Sequence, residues 1–274
     1  MEDDQEGDED VNSFSLDKLP STSIYKGKTF ADVKENQRKE FYQYAICTRF
    51  LYTDDTREVE DVFKRLNKYT LPLKAQELRN ATFHGPFAKL SEELANDKYW
   101  AVNGIISPAR IRRMGDIEMM SDLLIGLLHG PQGGSSKIID QYYEEYESFE
   151  EEFPEQSRTE KLFTRTQTQI KLVFPKISET SRWDNRADYY SLFVAAGHLL
   201  KDRVLPSSKR GRLARRLNKF AENVDRELET PTTAASTLAQ QYARAIEKGV
   251  NDKARRADRH EVLLEIMSPF FREK

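Results

Sequence analysis

The most informative stretch of this sequence is Phe63-Lys64-Arg65-Leu66-Asn67, followed by Pro72-Leu73-Lys74-Ala75-Gln76-Glu77-Leu78-Arg79-Asn80-Ala81. Two arginines, two asparagines, a glutamine and a glutamate alternate here with apolar residues at helical spacing. Asn, Gln and Arg offer oriented donors and acceptors that can bind a phosphate, a base edge or the backbone. The stretch therefore predicts packed helices that also carry a polar site.

Six residues of this block are candidates for binding a nucleotide or phosphate: Arg65, Asn67, Gln76, Glu77, Arg79 and Asn80. The guanidinium fork of Arg79 matches phosphate oxygens, and Glu77 could hold Mg²⁺ or orient Arg79. In the structural alternative, Glu77 and Arg79 serve the fold, and Asn67 ends a helix. Both interpretations are open at this point.

The rest of the chain predicts an α+β protein that is mostly α. A helix is expected over residues 33–44 and a strand over residues 45–52, which are β-branched and aromatic without Gly or Pro. From about residue 105 apolar stripes recur at helical spacing, one of them formed by Leu213, Leu217, Phe220 and Val224. We therefore expect a helical bundle that follows a small α/β part.

A second candidate site lies between residues 209 and 219. Its candidates for contact with a DNA backbone are Lys209, Arg210, Arg212, Arg215, Arg216 and Lys219. On a helix, four of them lie on one side and can neutralise several phosphates: Arg212, Arg215, Arg216 and Lys219. A basic face that is merely solvated is the alternative. A weaker cluster of the same kind comprises Lys253, Arg255, Arg256 and Arg259.

Charge is distributed unevenly along the chain. Residues 1–157 hold 19 basic and 31 acidic residues, whereas residues 158–274 hold 24 basic and 15 acidic. The basic half fits nucleic acid, an acidic partner, or the acidic half of the same chain. The single Cys47 and four scattered histidines predict neither a disulfide framework nor a metal site. No apolar run reaches the ~18 residues of a membrane span, so we expect no membrane partner and a cytoplasmic location.

The run Gly27-Lys28-Thr29-Phe30-Ala31-Asp32-Val33, the predicted strand and the opening stretch together resemble one family over residues 14–100. It is the N-terminal domain family of GmrSD-type modification-dependent restriction enzymes, with a ParB- and sulfiredoxin-like fold. Gln76-Glu77-Leu78-Arg79-Asn80-Ala81 is the most specific part of the resemblance. The resemblance implies a role in defence against phage and foreign DNA, with binding of nucleotide or DNA.

The family's Asp-Gly-Gln-Gln-Arg signature, linked to nucleotide hydrolysis or nuclease function, does not occur in this sequence. We therefore expect a truncated module without its own nuclease domain, or half of a split system whose protein partner supplies the missing front strands. The expected organisation is a disordered acidic tail (1–13), the C-terminal part of the incomplete α/β domain (14–100) and a helical domain (101–274). The cofactor and the catalytic residues are unknown at this point, and an NTP with Mg²⁺ is the cofactor that the resemblance suggests. The alternative function is a non-catalytic protein-interaction subunit.

Overall fold

The computed structural model describes residues 15–16, 19, 23–45, 48, 50, 52–53, 55, 58–59, 62, 73–147, 153, 156–231 and 237–273. The chain divides into two compact units, Met1–Pro72 and Leu73–Lys274. The predicted tail over residues 1–13 lies outside the described residues. The predicted division near residue 100 stays a prediction, and the helices between residues 75 and 102 belong to the second unit.

The first unit contains helix α1 (Glu35–Gln43), which falls within the predicted range 33–44. A 3₁₀ turn, Phe30–Asp32, precedes it. The Asp32 carboxylate accepts bonds from the Thr29 backbone N–H (2.9 Å) and hydroxyl (2.7 Å). Phe30 packs edge-on against Phe41 and Tyr42 with centroid distances of 5.3 and 5.6 Å.

The predicted strand at 45–52 is not found at the positions that the structure describes. Ala45, Thr48, Phe50 and Tyr52 have no regular secondary structure, and residues 46, 47, 49 and 51 lie outside the described set. A strand must pair its backbone groups with a neighbouring strand, and none lies beside these four positions among the described residues. Tyr52 is accordingly 92% exposed.

The second unit is helical. Its helices are α2 (Ala75–Thr82), α3 (Pro86–Ala95), α4 (Tyr99–Val102), α5 (Pro108–Ile111), α6 (Gly115–His129), α7 (Ser136–Glu147), α8 (Gln156–Val173), α9 (Arg186–Asp202), α10 (Ser207–Glu229), α11 (Leu238–Glu247) and α12 (Lys253–Met267). The predicted helical region is confirmed, and so is the mostly α character of the α+β fold.

A small antiparallel sheet was missed by the sequence analysis. Strand β1 (Arg203–Val204) pairs with β2 (Arg272–Glu273), so Arg203 faces Glu273 and Val204 faces Arg272. Two-residue strands carry too little alternation to be recognised from sequence. The sheet fastens the chain's last residues to the end of α9.

Helix α9 is the centre of the second unit. It packs against α6, α8 and α12, and most of its residues are buried because it is apolar on nearly every side. Tyr189 is completely buried and packs against Trp100 and Phe193, and Phe163 packs against the same two rings. These aromatic residues are therefore core, and they fix the helices that position the candidate sites.

Candidate functional site

Helix α2 carries four of the six predicted nucleotide-binding candidates. Lys74 precedes the helix, and its backbone N–H donates to the Glu77 carboxylate (2.6 Å), which caps the first turn. Helical spacing then places Gln76 and Arg79 on one buried face. Arg65 and Asn67 lie outside the described residues, so their roles stay predictions.

Arg79 is 2% exposed and is surrounded by acceptors of the protein itself. Its Nε donates to Asp140 Oδ1 (2.6 Å), and its Nη1 donates to Gln76 Oε1 (2.8 Å). Its Nη2 donates to Ser136 Oγ (2.7 Å) and to the Ser136 carbonyl (3.2 Å). A phosphate would have to displace these acceptors, so the geometry favours the structural alternative for Arg79.

Gln76 extends the same network into the core. Its Nε2 donates to the Tyr143 hydroxyl (2.8 Å), which also lies 2.8 Å from Ser121 Oγ. Burial raises the pKa of Tyr143, and the bonds to Ser121 and Gln76 offset that rise only in part. Tyr143 therefore stays a neutral phenol, as a buried hydrogen-bond partner should.

Glu77 and Asn80 are also committed to protein partners. Glu77 Oε2 accepts from Arg113 Nη2 (2.7 Å) in addition to its cap bond. Burial opposes ionisation of Glu77, but the Lys74 N–H and Arg113 prevail, so the pKa of the carboxyl is lowered. Asn80 Nδ2 donates to Glu92 Oε1 (2.8 Å). Gln76 and Arg79 are bonded to each other, and all four side chains bond to neighbouring parts of the protein, so they tie α2 to its neighbours.

The described residues of this block do not fit an NTP with Mg²⁺. Mg²⁺ needs a near-octahedral set of oxygens and normally takes one or two carboxylates, whereas Glu77 is paired with a guanidinium. Within the described ranges, no group of three or more His, Cys, Asp or Glu side chains could hold a metal ion. We therefore derive no chemistry through such a cofactor here.

The second predicted site lies on α10, which is 23 residues long. Leu213, Leu217, Phe220 and Val224 are buried, which confirms the predicted stripe. Arg212, Arg215 and Arg216 are exposed on the other side, and no carboxylate of the described residues pairs with them. These three arginines are called the basic face of α10 below.

The other three candidates on α10 have partners. Lys209 Nζ donates to the Pro269 carbonyl (3.0 Å), and Arg210 Nε donates to Gln169 Oε1 (3.3 Å). Lys219 forms an exposed ion pair with Glu222 (3.0 Å), which contributes little to stability. Lys219 can thus exchange Glu222 for a phosphate easily, whereas Lys209 and Arg210 help to fix the start of the helix.

The weaker basic cluster at residues 253–259 does not form a continuous exposed face. Arg256 is 4% exposed and Arg259 is completely buried, because both point from α12 toward the core. Burial opposes the charge of Arg256, but its bonds to Asp122 prevail and raise the pKa. Sequence reasoning missed these partners because Asp122 lies 134 residues away, and no local spacing signals such a pair.

The structure also contains a large open cleft of about 1050 Å³ near the end of α9. It is lined by charged residues of both signs, among them Asp202, Arg244, Arg255 and Glu261. Mixed charges of this kind do not favour one class of ligand, so the cleft is not assigned a function.

No helix in the described part of the chain combines the length and apolar character needed to span a membrane. No protein-family model, curated protein or solved structure matches this chain.

Proposed function

We propose that the chain is a nucleic-acid-binding module that contacts the phosphate backbone through the basic face of α10. The observation that carries the proposal is the exposure of Arg212, Arg215 and Arg216 without a carboxylate partner among the described residues. Arginines that only solubilise a helix are usually mixed with acids. The resemblance to GmrSD-type enzymes supports a role in defence against foreign DNA, and we include that role in the proposal.

The spacing of this face suits a nucleic-acid strand. The basic face together with Lys219 extends from residue 212 to residue 219, which is seven positions or roughly 10 Å along a helix axis. B-DNA carries one charge per ~3.4 Å of axis on each strand, so this stretch of the helix spans about three phosphates. Backbone contacts of this kind position a protein on nucleic acid without reading its sequence. We therefore expect binding that depends on salt and hardly on base sequence.

The test is the affinity for a 20-base-pair duplex at low salt. Replacement of Arg212, Arg215 and Arg216 together by Ser should weaken binding by about tenfold or more, because three phosphate contacts are lost. Fluorescence anisotropy with a labelled duplex measures this. Thermal unfolding should change little, since the three side chains are exposed and the buried stripe is untouched.

The matched control removes the same charge elsewhere. Lys89, Lys137 and Lys161 are exposed lysines on three other helices. Their joint replacement by Ser should leave the affinity within about a factor of two to three. Equal weakening by both triple variants, or no binding by the wild-type protein, would contradict the proposal and support the interaction-subunit alternative.

A further inference from the structure

A small pocket of about 290 Å³ lies beside the N-terminus of α9, away from the basic face of α10. Four arginines line it, together with two carboxylates: Arg110, Arg186, Arg256, Arg259, Glu118 and Asp122. Asn185, which caps α9 by accepting from the Ala187 N–H (3.0 Å), lines it as well. We call it the arginine pocket. Its lining carries two more positive than negative side chains.

Two of the arginines are neutralised by the two carboxylates. Arg256 donates through Nη1 and Nη2 to both oxygens of Asp122, each at 2.7 Å. Arg186 Nη2 donates to Glu118 Oε1 at 2.8 Å. Such fork-shaped and charge-assisted bonds hold their partners firmly. The excess positive charge of the pocket therefore belongs to the other two arginines.

Arg259 is a buried cation with neutral acceptors only. It is 0% exposed, and its three donors bind Ser191 Oγ, the Ala245 carbonyl and the Val250 carbonyl, each at 2.8 Å. No described carboxylate lies within ion-pair distance of it, and Asp188 acts on it only from farther away. Burial lowers the pKa of Arg259, yet a guanidinium remains charged near neutral pH. An isolated buried charge is costly unless a counter-ion accompanies it.

Arg110 supplies the other excess charge at the rim. It is exposed on α5, and across the described residues it has no carboxylate partner. Because its side chain is exposed, Arg110 can approach a bound anion from the solvent side.

Contacts among the other lining residues hold part of the pocket in place. Gly134 has no room for a Cβ because the Arg256 guanidinium fills that space. Its backbone N–H donates to the Asn251 carbonyl (2.9 Å), which joins two segments that line the pocket. The Arg256 guanidinium is stacked 3.9 Å from the centroid of the Tyr190 ring. These contacts hold the lining before any ligand arrives.

We propose that the arginine pocket binds a small phosphate-bearing anion. Guanidinium groups match phosphate oxygens in geometry and charge, and the N-terminus of α9 adds a favourable dipole. The volume admits a phosphate group with a small attached moiety and excludes a nucleic-acid helix. Arg110 would bond to the phosphate directly, whereas Arg259, whose donors are already bonded within the protein, would be compensated through its charge alone. The site is separate from the proposed nucleic-acid contact on α10.

The test is isothermal titration calorimetry of the full chain with inorganic phosphate at low ionic strength. The wild-type protein should bind one phosphate per chain with a saturable isotherm. Arg110→Gln should weaken this binding by about tenfold, and because Arg110 is exposed the variant should fold normally. Arg112 is an exposed arginine next to the same short helix that does not line the pocket. Arg112→Gln should therefore change the affinity by less than twofold.

Two results would overturn the proposal: no saturable phosphate binding by the wild-type protein, or equal weakening by Arg110→Gln and Arg112→Gln. The triple Ser variant of the basic face of α10 separates this proposal from the proposed function. This variant should still bind phosphate with the wild-type affinity even if it no longer binds the DNA duplex. Loss of phosphate binding in that variant would place the anion on α10 and refute the pocket.

Discussion

Arg79 links helix α2 to two segments that lie 39 to 61 residues away in sequence. Its guanidinium bonds to Ser136 and Asp140 of α7 and lies 3.9 Å from Glu118 of α6. The sequence context indicated that Arg79 makes specific hydrogen bonds, because an arginine close to Gln and Asn on a helix offers oriented donors beside oriented acceptors. Its partners were not recognisable, since side chains 39 to 61 positions away leave no local pattern.

We predict that Arg79→Met destabilises the protein by about 2–3 kcal/mol. The variant keeps the packed stem but leaves Gln76 Oε1 without its donor inside the core. Chemical denaturation measures the loss as a lower midpoint with an unchanged slope. Lys137→Met, an exposed change on α7, should remain within about 0.5 kcal/mol of the wild-type protein. An Arg79→Met variant of wild-type stability would return Arg79 to the phosphate-binding hypothesis.

His260 provides the clearest dependence of stability on pH. Burial, together with the charges of His198 and Lys201, lowers the pKa of His260 to about 4. An unfolded histidine titrates near 6.5. Between these values the unfolded chain binds a proton that the folded chain does not, so the free energy of unfolding must fall as pH falls from about 6.5 to 4.

The His260 contribution is at most about 3 kcal/mol across that window and is absent above pH 7. Carboxylates titrate in the same range, so the comparison is with His260→Gln, which cannot protonate there. Below pH 6.5 the wild-type protein should lose stability relative to His260→Gln, and this loss should grow steadily as the pH falls. A difference that stays constant from pH 7.5 to 4.5 would show that His260 does not sense pH.

Helices α6 and α9 approach each other closely at two glycines. A Cβ on Gly126 would collide with the Val194 side chain, and a Cβ on Gly197 would collide with Leu127. Both contacts are with branched core side chains that cannot move without disturbing their neighbours. The glycines therefore set the distance between the two helices that carry Glu118 and Arg186.

We predict that Gly197→Ala destabilises the protein by about 1–3 kcal/mol through overpacking. Gly211 on α10 is the control, since a Cβ there meets only the Arg215 guanidinium at an ordinary distance of 3.9 Å. Gly211→Ala should instead stabilise the protein by up to about 1 kcal/mol, as expected for an exposed helical glycine. Thermal unfolding distinguishes the two, and a stabilising Gly197→Ala would mean that α6 and α9 are not in close contact.

Helix α10 was predictable because it carries a repeated apolar stripe. Leu213, Leu217, Phe220 and Val224 are all buried on α10, as their spacing required. The predicted strand was not found at its described positions. β-propensity indicates only how well a segment fits into a sheet whose other strands are present. Whether a partner strand exists is a property of the whole chain, and the composition of residues 45–52 contains no information about it.

Part of the charge asymmetry of the molecule is used internally. Asp97 binds Lys171, Glu118 binds Arg186 and Asp122 binds Arg256, so three acids of the first half neutralise three bases of the second. This is one of the three explanations that the sequence left open for its basic half. Arg212, Arg215 and Arg216 are among the basic residues that this internal pairing leaves exposed.

The most direct measurement of the proposed function is the salt dependence of duplex binding. The logarithm of the association constant, plotted against the logarithm of the NaCl concentration, has a slope of about −0.9 for each phosphate neutralised. Replacement of Arg212, Arg215 and Arg216 by Ser should therefore make the slope shallower by about 2 to 3, while the Lys89, Lys137 and Lys161 control leaves it unchanged. A triple Ser variant with the wild-type slope would contradict the account, because the basic face of α10 would then make no phosphate contacts.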